Sequence, residues 1–129
     1  MNEPQGTVDP AKGRCIKGRV SENLVALKLA AEGWNIVARN WRRGRGELDI
    51  VASKDDTIAF IEVKTVDAYG KESLATSIGP LKRFRIIETS KLFVLLHREF
   101  KCAAIRYDVA SVEAGAVADY FENAFAERT

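Results

Sequence analysis

The chain has 129 residues, 47% of them apolar and 29% charged, and a formal net charge of +2. That is the composition of an ordinary globular protein of one domain, with no apolar run of membrane-crossing length and no Cys-x-x-Cys pair to suggest a zinc site. The near-zero total hides an asymmetry: residues 1–46 carry nine Lys and Arg against four Asp and Glu, and the remainder eleven against fourteen.

Residues 1–13, rich in Pro, Gly and polar groups and lacking the apolar stretch of a secretory signal, read as a flexible tail on a cytoplasmic protein, with one domain over 14–129. A helix is expected from Ser21, a good N-cap, with Leu24, Leu27 and Ala31 on one stripe and Gly33 placed to end it. Residues Trp34–Trp41 alternate as a strand, and Arg43-Gly44-Arg45-Gly46 supplies a reversal. Two further strands follow, Gly46–Ala52 and Ile58–Lys64, joined by the polar turn Lys54-Asp55-Asp56. In the second of these, Ile58, Phe60, Glu62 and Lys64 share one face. In the first, Glu47 and Asp49 are expected on the face opposite Leu48 and Ile50. Residues 67–79 read as a loop beside these acids. Pro80 opens a second helix that exposes a mixed stripe of Leu81, Phe84, Ile87 (or Glu88) and Lys91. Ile105, Tyr107 and Val109 alternate as a later strand, and the tail through Tyr120, Phe121 and Phe125 closes on the core. This order predicts an α/β fold with a central mixed sheet flanked by helices.

The chemistry concentrates in the two acidic strands. Residues 58–61 are apolar on both faces, the mark of a central strand. Charges at the end of such a strand are unfavourable unless paired or metal-bound. If the strands pair, Asp49, Glu62 and Lys64 converge at one sheet end, where two carboxylates and an ammonium suit a divalent ion and a phosphodiester. The plainer alternative is a structural Glu62–Lys64 pair on an edge strand. Arg39, Arg42, Arg43 and Arg45, interleaved with Trp41, suit a phosphate backbone or a solvated hairpin tip. Lys82 and Arg85, one turn apart on a helix, present the same choice. His97 is the only histidine, which argues against His-based catalysis and multi-His zinc. Asp108, on the polar face of its strand, is expected to pair with an Arg.

The run Gly33-Trp34-Asn35-Ile36-Val37-Ala38-Arg39-Asn40-Trp41-Arg42, followed by Gly46-Glu47-Leu48-Asp49-Ile50-Val51-Ala52 and Ile61-Glu62-Val63-Lys64-Thr65, resembles the YraN family. These are small bacterial proteins related to Holliday-junction resolvases of the restriction-endonuclease-like fold. The resemblance covers roughly residues 14–125. It implies a restriction-endonuclease-like core and an endonuclease that uses Mg²⁺ or Mn²⁺ to hydrolyse DNA, branched or duplex, and it leaves RNA open. It further implies that Asp49 and Glu62 bind the metal, that Lys64 assists the attacking water, and that Glu22 on the first helix joins the site. Glu47 is then an accessory ligand, and Arg39, Arg42, Arg43, Arg45, Lys82 and Arg85 are the nucleic-acid contacts. Junction resolvases work as dimers, so the resemblance also suggests a homodimer. Ser21 stands where the family usually has Gly, and Val66 where an Arg often follows the Lys-Thr pair, which removes one phosphate contact. The rival expectation is a nucleic-acid-binding or partner-binding module on the same fold, with little or no catalysis.

Overall fold

The computed structural model describes residues 10–66 and 78–127. Along the chain come helix α1 (Pro10–Ala31), strands β1 (Asn35–Arg43), β2 (Gly46–Lys54) and β3 (Thr57–Val66), helix α2 (Pro80–Leu96), a 3-10 turn at Arg98–Phe100, and strands β4 (Ala104–Glu113) and β5 (Ala116–Phe125). The strands form one sheet in the order β1-β2-β3-β4-β5. β1 to β3 are an antiparallel meander, β4 lies parallel to β3, and β5 returns antiparallel to β4. A parallel neighbour needs a crossover, and α2 lies on it. The expected α/β architecture is thus the observed one, a mixed sheet between two helices and consistent with a restriction-endonuclease-like core.

Each helix covers one face. Val25 and Leu29 of α1 pack with Ile50, Ala52, Ala59, Ile61, Ala110 and Val112. Ile86, Ile87 and Phe93 of α2 pack with Leu48, Val51, Ile58, Phe60, Tyr107 and Val109. The central strand is buried on both sides, with Ile58, Ala59, Phe60 and Ile61 no more than 2% exposed, as its uniformly apolar sequence requires. Leu81, Phe84 and Lys91 of α2 are exposed, while Ile87 is buried. The hairpin β1–β2 turns at Gly44, whose φ of +56° places it in the left-handed region. A two-residue hairpin favours glycine there.

Helix α1 ends as Gly33 predicts. Gly33 at φ +94° donates its N–H to Ala30 and Trp34 donates to Leu29, 3.1 and 3.0 Å away. Together these two bonds form a Schellman cap. The start differs from expectation. The helix begins at Pro10 rather than Ser21, because Ala11–Val20 contains no residue that stops it more strongly than an isolated glycine. Ser21 is buried, and its hydroxyl shares a 2.7 Å hydrogen bond with Thr65 on β3. Residues 10–13 belong to α1; residues 1–9, residues 67–77 of the expected loop, and residues 128–129 lie outside the described residues. The closing element is a full ten-residue strand rather than a short segment. Among the described residues, no helix is long and apolar enough to cross a membrane.

Candidate active site

The alternation of β2 breaks at one residue. Leu48 points into the α2-side core and Ile50 into the α1-side core, so they do not share the face that simple period-2 counting assigns them. Regular alternation resumes with Val51 on the α2 side and Ala52 on the α1 side. Asp49 sits at the break. Opposite it on β1, between the partners Arg39↔Ile50 and Trp41↔Leu48, Asn40 takes φ +52°. Asn tolerates that conformation better than most residues. The two strands thus change faces together at Asn40 and Asp49.

The β2–β3 ladder ends at Ile50↔Ile61, one step before Asp49 and Glu62 would pair. The Asp49 carboxylate continues the ladder instead: its Oδ2 accepts the Val63 N–H at 2.9 Å. This brings Asp49 within electrostatic reach of Glu62 on the α2 face of β3 and of Glu22 on α1. Burial, reinforced chiefly by the Glu62 charge, pushes the Asp49 carboxyl up to about 8, against the opposing bond from Val63. Such a shift in a cleft marks a candidate functional group.

The flanking acids are held from both layers. Glu62 is buried, and its Oε2 lies 2.6 Å from the Lys82 ammonium on α2. Burial works against the charged form of Lys82, but the hydrogen bond and charge of Glu62 outweigh it and hold the ammonium above its usual range. Glu22 is 9% exposed. Burial raises its carboxyl, opposed by a hydrogen bond from Asn40 and by the charge of Arg39. The Arg39 guanidinium stands 3.9 Å from Glu22 Oε1, yet that buried oxygen has no hydrogen-bond partner. Glu47 is more exposed and forms a two-bond pair with Arg42, at 2.9 and 3.0 Å. Together Gly18, Arg19, Glu22, Asn40, Arg42, Glu47 and Asp49 line an open cleft of about 420 Å³. A larger groove of about 600 Å³ between α2 and the end of β5, lined by Pro80, Phe84, Ile87 and Phe125 among others, shares no residue with it.

The structure therefore brings Glu22, Glu47, Asp49 and Glu62 to one end of the sheet. Among the described residues, however, no three Asp, Glu, His or Cys side chains are close enough to hold one cation between them. Glu22 and Glu62 belong to opposite layers, with Asp49 at the seam. Lys64 follows Glu62 on the same face of β3, opposite Ser111 in register, and is partly buried. Of the basic residues, Arg43 lies over the Trp41 ring at 5.5 Å, and Arg45 and Arg85 are exposed. Trp41 itself packs edge-on against Phe93 at 5.1 Å and so serves the core. Asn40 has no sequence-derived role in the site, although an Asn inside an otherwise regular strand is, glycine aside, the residue type that most readily takes a left-handed break.

A family model for the uncharacterised protein family UPF0102 matches residues 21–112, which includes Glu22, Asp49, Glu62, Lys64 and Lys82. The chain belongs to that family, the YraN family of the sequence resemblance. A UPF0102 protein of Treponema pallidum is 45% identical over 92 residues, 71% of this chain and 73% of the relative. One from Synechococcus is 36% identical over 117 residues, 84% and 89% of the two chains. Another from Chlorobium limicola is 36% identical over 123 residues, 87% and 93%. The UPF0102 match therefore spans the second half of α1, all of β1, β2, β3 and α2, and all but the last residue of β4.

Proposed function

We propose that this UPF0102 protein is a metal-dependent endonuclease that hydrolyses phosphodiester bonds in DNA, junction or branched DNA included. The observation that carries the reading is Asp49, a partly buried carboxylate with one protein hydrogen bond, crowded by Glu62 and lining a cleft. Hard oxygen donors of this kind suit Mg²⁺ or Mn²⁺, which takes one or two carboxylates and leaves its other positions to water and phosphate. Asp49 and Glu62 would hold the ion, with Glu22 as a further acid beside Asp49. When bound, the ion supplies charge neutralisation at the phosphate and a more acidic water. Lys64, on the Glu62 face of β3, steadies the attacking water and balances charge developing on the phosphate. Glu47 and Arg42 form the rim, and Arg43, Arg45 and Arg85 supply exposed charge for the phosphate backbone.

A second reading is favoured by one observation: Glu62 is already paired with Lys82, so the fold has a stable arrangement without a cation. On that reading the protein binds nucleic acid without cleaving it, since a fold does not dictate catalysis. The deciding experiment offers labelled single strand, duplex, flap, four-way junction and structured RNA to wild type, Asp49→Asn and Glu62→Gln in Mn²⁺ or Mg²⁺. Cleavage by wild type alone supports the nuclease and names its substrate. Binding without cleavage, retained in EDTA and by Asp49→Asn, replaces it with the binding module.

A further inference from the structure

Lys82 projects from the first turns of α2, outside the strands that carry the acids, and its side chain is 51% exposed, whereas that of its partner Glu62 is 8% exposed. The 2.6 Å contact places an ammonium on the carboxylate that a cation would need. It also lies within the field of Asp49 and Glu47. A buried carboxylate next to another is strongly unfavourable without a counter-charge, and a flexible four-carbon stem lets an ammonium leave when a better partner arrives. Arg85 is exposed one turn further along the same helix, so phosphates that approach α2 meet both cations.

We infer that Lys82 is a tethered counter-ion for Glu62 that keeps the cation site weak until a nucleic-acid phosphate draws the ammonium away. This rests on the nuclease reading and assigns the site its regulation: cation binding and nucleic-acid binding are mutually reinforcing, because each frees the partner that the other requires. Linkage makes the coupling reciprocal. Lys82 is a positioning residue in this scheme, acting through Glu62.

The test is Mn²⁺ binding by calorimetry to wild type, Lys82→Met, Lys82→Arg and Asp49→Asn, alone and with a duplex carrying hydrolysis-resistant phosphorothioate linkages. Thermal melts confirm that each variant is folded. Without nucleic acid, Lys82→Met should bind Mn²⁺ about tenfold more tightly than wild type, with Lys82→Arg close to wild type. Added duplex should tighten Mn²⁺ binding to wild type more than to Lys82→Met, because phosphate ligation of the ion is common to both and only wild type also gains from release of Lys82. Equal or weaker Mn²⁺ binding by folded Lys82→Met overturns the counter-ion role while leaving the cation site intact. Absence of Mn²⁺ binding from wild type and Lys82→Met alike, or binding undiminished in Asp49→Asn, overturns the cation site itself and this inference with it.

Discussion

Replacing Asp49 by Asn isolates the electrostatic penalty that the fold carries at its site. The carboxyl moves from an ordinary value of 3.8 to about 8 in the folded protein. The unfolded chain therefore gives up this proton first, and every step in pH between the two values favours the unfolded state. The associated stability is present in full below about 4 and is lost as the pH climbs toward 8. From 3.8 to pH 7, at about 1.4 kcal/mol per pH unit, the loss reaches roughly 4 kcal/mol as a ceiling. Glu62 shares the charge and the surroundings relax, so the expected net gain on removing the acid is about 2 kcal/mol. For a domain of this size that is about 5–8 °C in Tm. Asn preserves the volume and an oxygen to accept the Val63 N–H. Asp49→Asn should accordingly melt above wild type at pH 8 in EDTA, with the gap closing toward pH 4. Mn²⁺ should raise the wild-type melt and leave the variant unmoved. The assay is circular dichroism melting across that pH range. A variant that melts below wild type throughout, or a gap that ignores pH, refutes the reasoning.

Three further outcomes are expected. A Cβ added at Gly46 would stand 2.0 Å from Thr89 Oγ1 and 3.0 Å from its Cβ, so Gly46→Ala should lower stability by about 2 kcal/mol or more in denaturant titration, with partial recovery on adding Thr89→Ala. A Gly46→Ala midpoint equal to wild type would show that β2 and α2 part freely. Neutralising Arg43 and Arg45 together should weaken DNA binding without sequence preference and lower the salt-dependence slope by about 2, measured by fluorescence anisotropy over a salt series; an unchanged slope removes the hairpin from the interface. Lys64→Met should depress the cleavage rate by about 100-fold while leaving Mn²⁺ affinity near wild type, and a variant that loses Mn²⁺ binding instead makes Lys64 a structural group.

The sequence carries much of this arrangement in plain form. Ile58–Ile61, apolar on both faces, had to be a central strand. Gly33 ended a helix, and Asp55 with φ +54° closes the β2–β3 turn that Lys54-Asp55-Asp56 announces. What period-2 counting could not give is the break at Asp49. A strand keeps its alternation only while both neighbours stay in register, and here Asn40 on β1 and the side-chain bond to Val63 on β3 alter that together. The same break decides the site, because it lets one carboxylate meet an acid from each layer. The start of α1 was hidden for another reason: Ser21 is a good cap in isolation, but its hydroxyl has a tertiary partner in Thr65, and local preference yields to that contact. The pairing of Glu62 with Lys82 joins residues 20 apart across a crossover, beyond the reach of any local pattern.

Two aspartates in this protein, one fully buried and one partly buried, show why Asp49, and not merely any acid set into the fold, marks the candidate site. Asp108 on β4 has no exposed surface, yet its carboxylate is saturated. Arg106 grips it through three bonds of 2.9, 3.3 and 2.8 Å, the Tyr120 hydroxyl donates at 2.6 Å, and the Asn123 N–H donates at 2.8 Å. Asn123 takes φ +52° where β5 slips register against β4, so the Asp108 cluster fixes a bulge, and the expectation of a structural Arg partner holds. A carboxylate so fully bonded has nothing left to offer a ligand. Asp49 has the opposite balance: one backbone donor, two or more acidic neighbours and an open cleft beside it. Evolution of a stable fold alone would favour Asn at that position, since the amide keeps the bond to Val63 and relieves the repulsion. An acid held there against its own electrostatics is accounted for by positive charge brought to the pair, first the Lys82 ammonium on its neighbour Glu62 and then, in the proposed function, a divalent ion bound with the phosphate backbone.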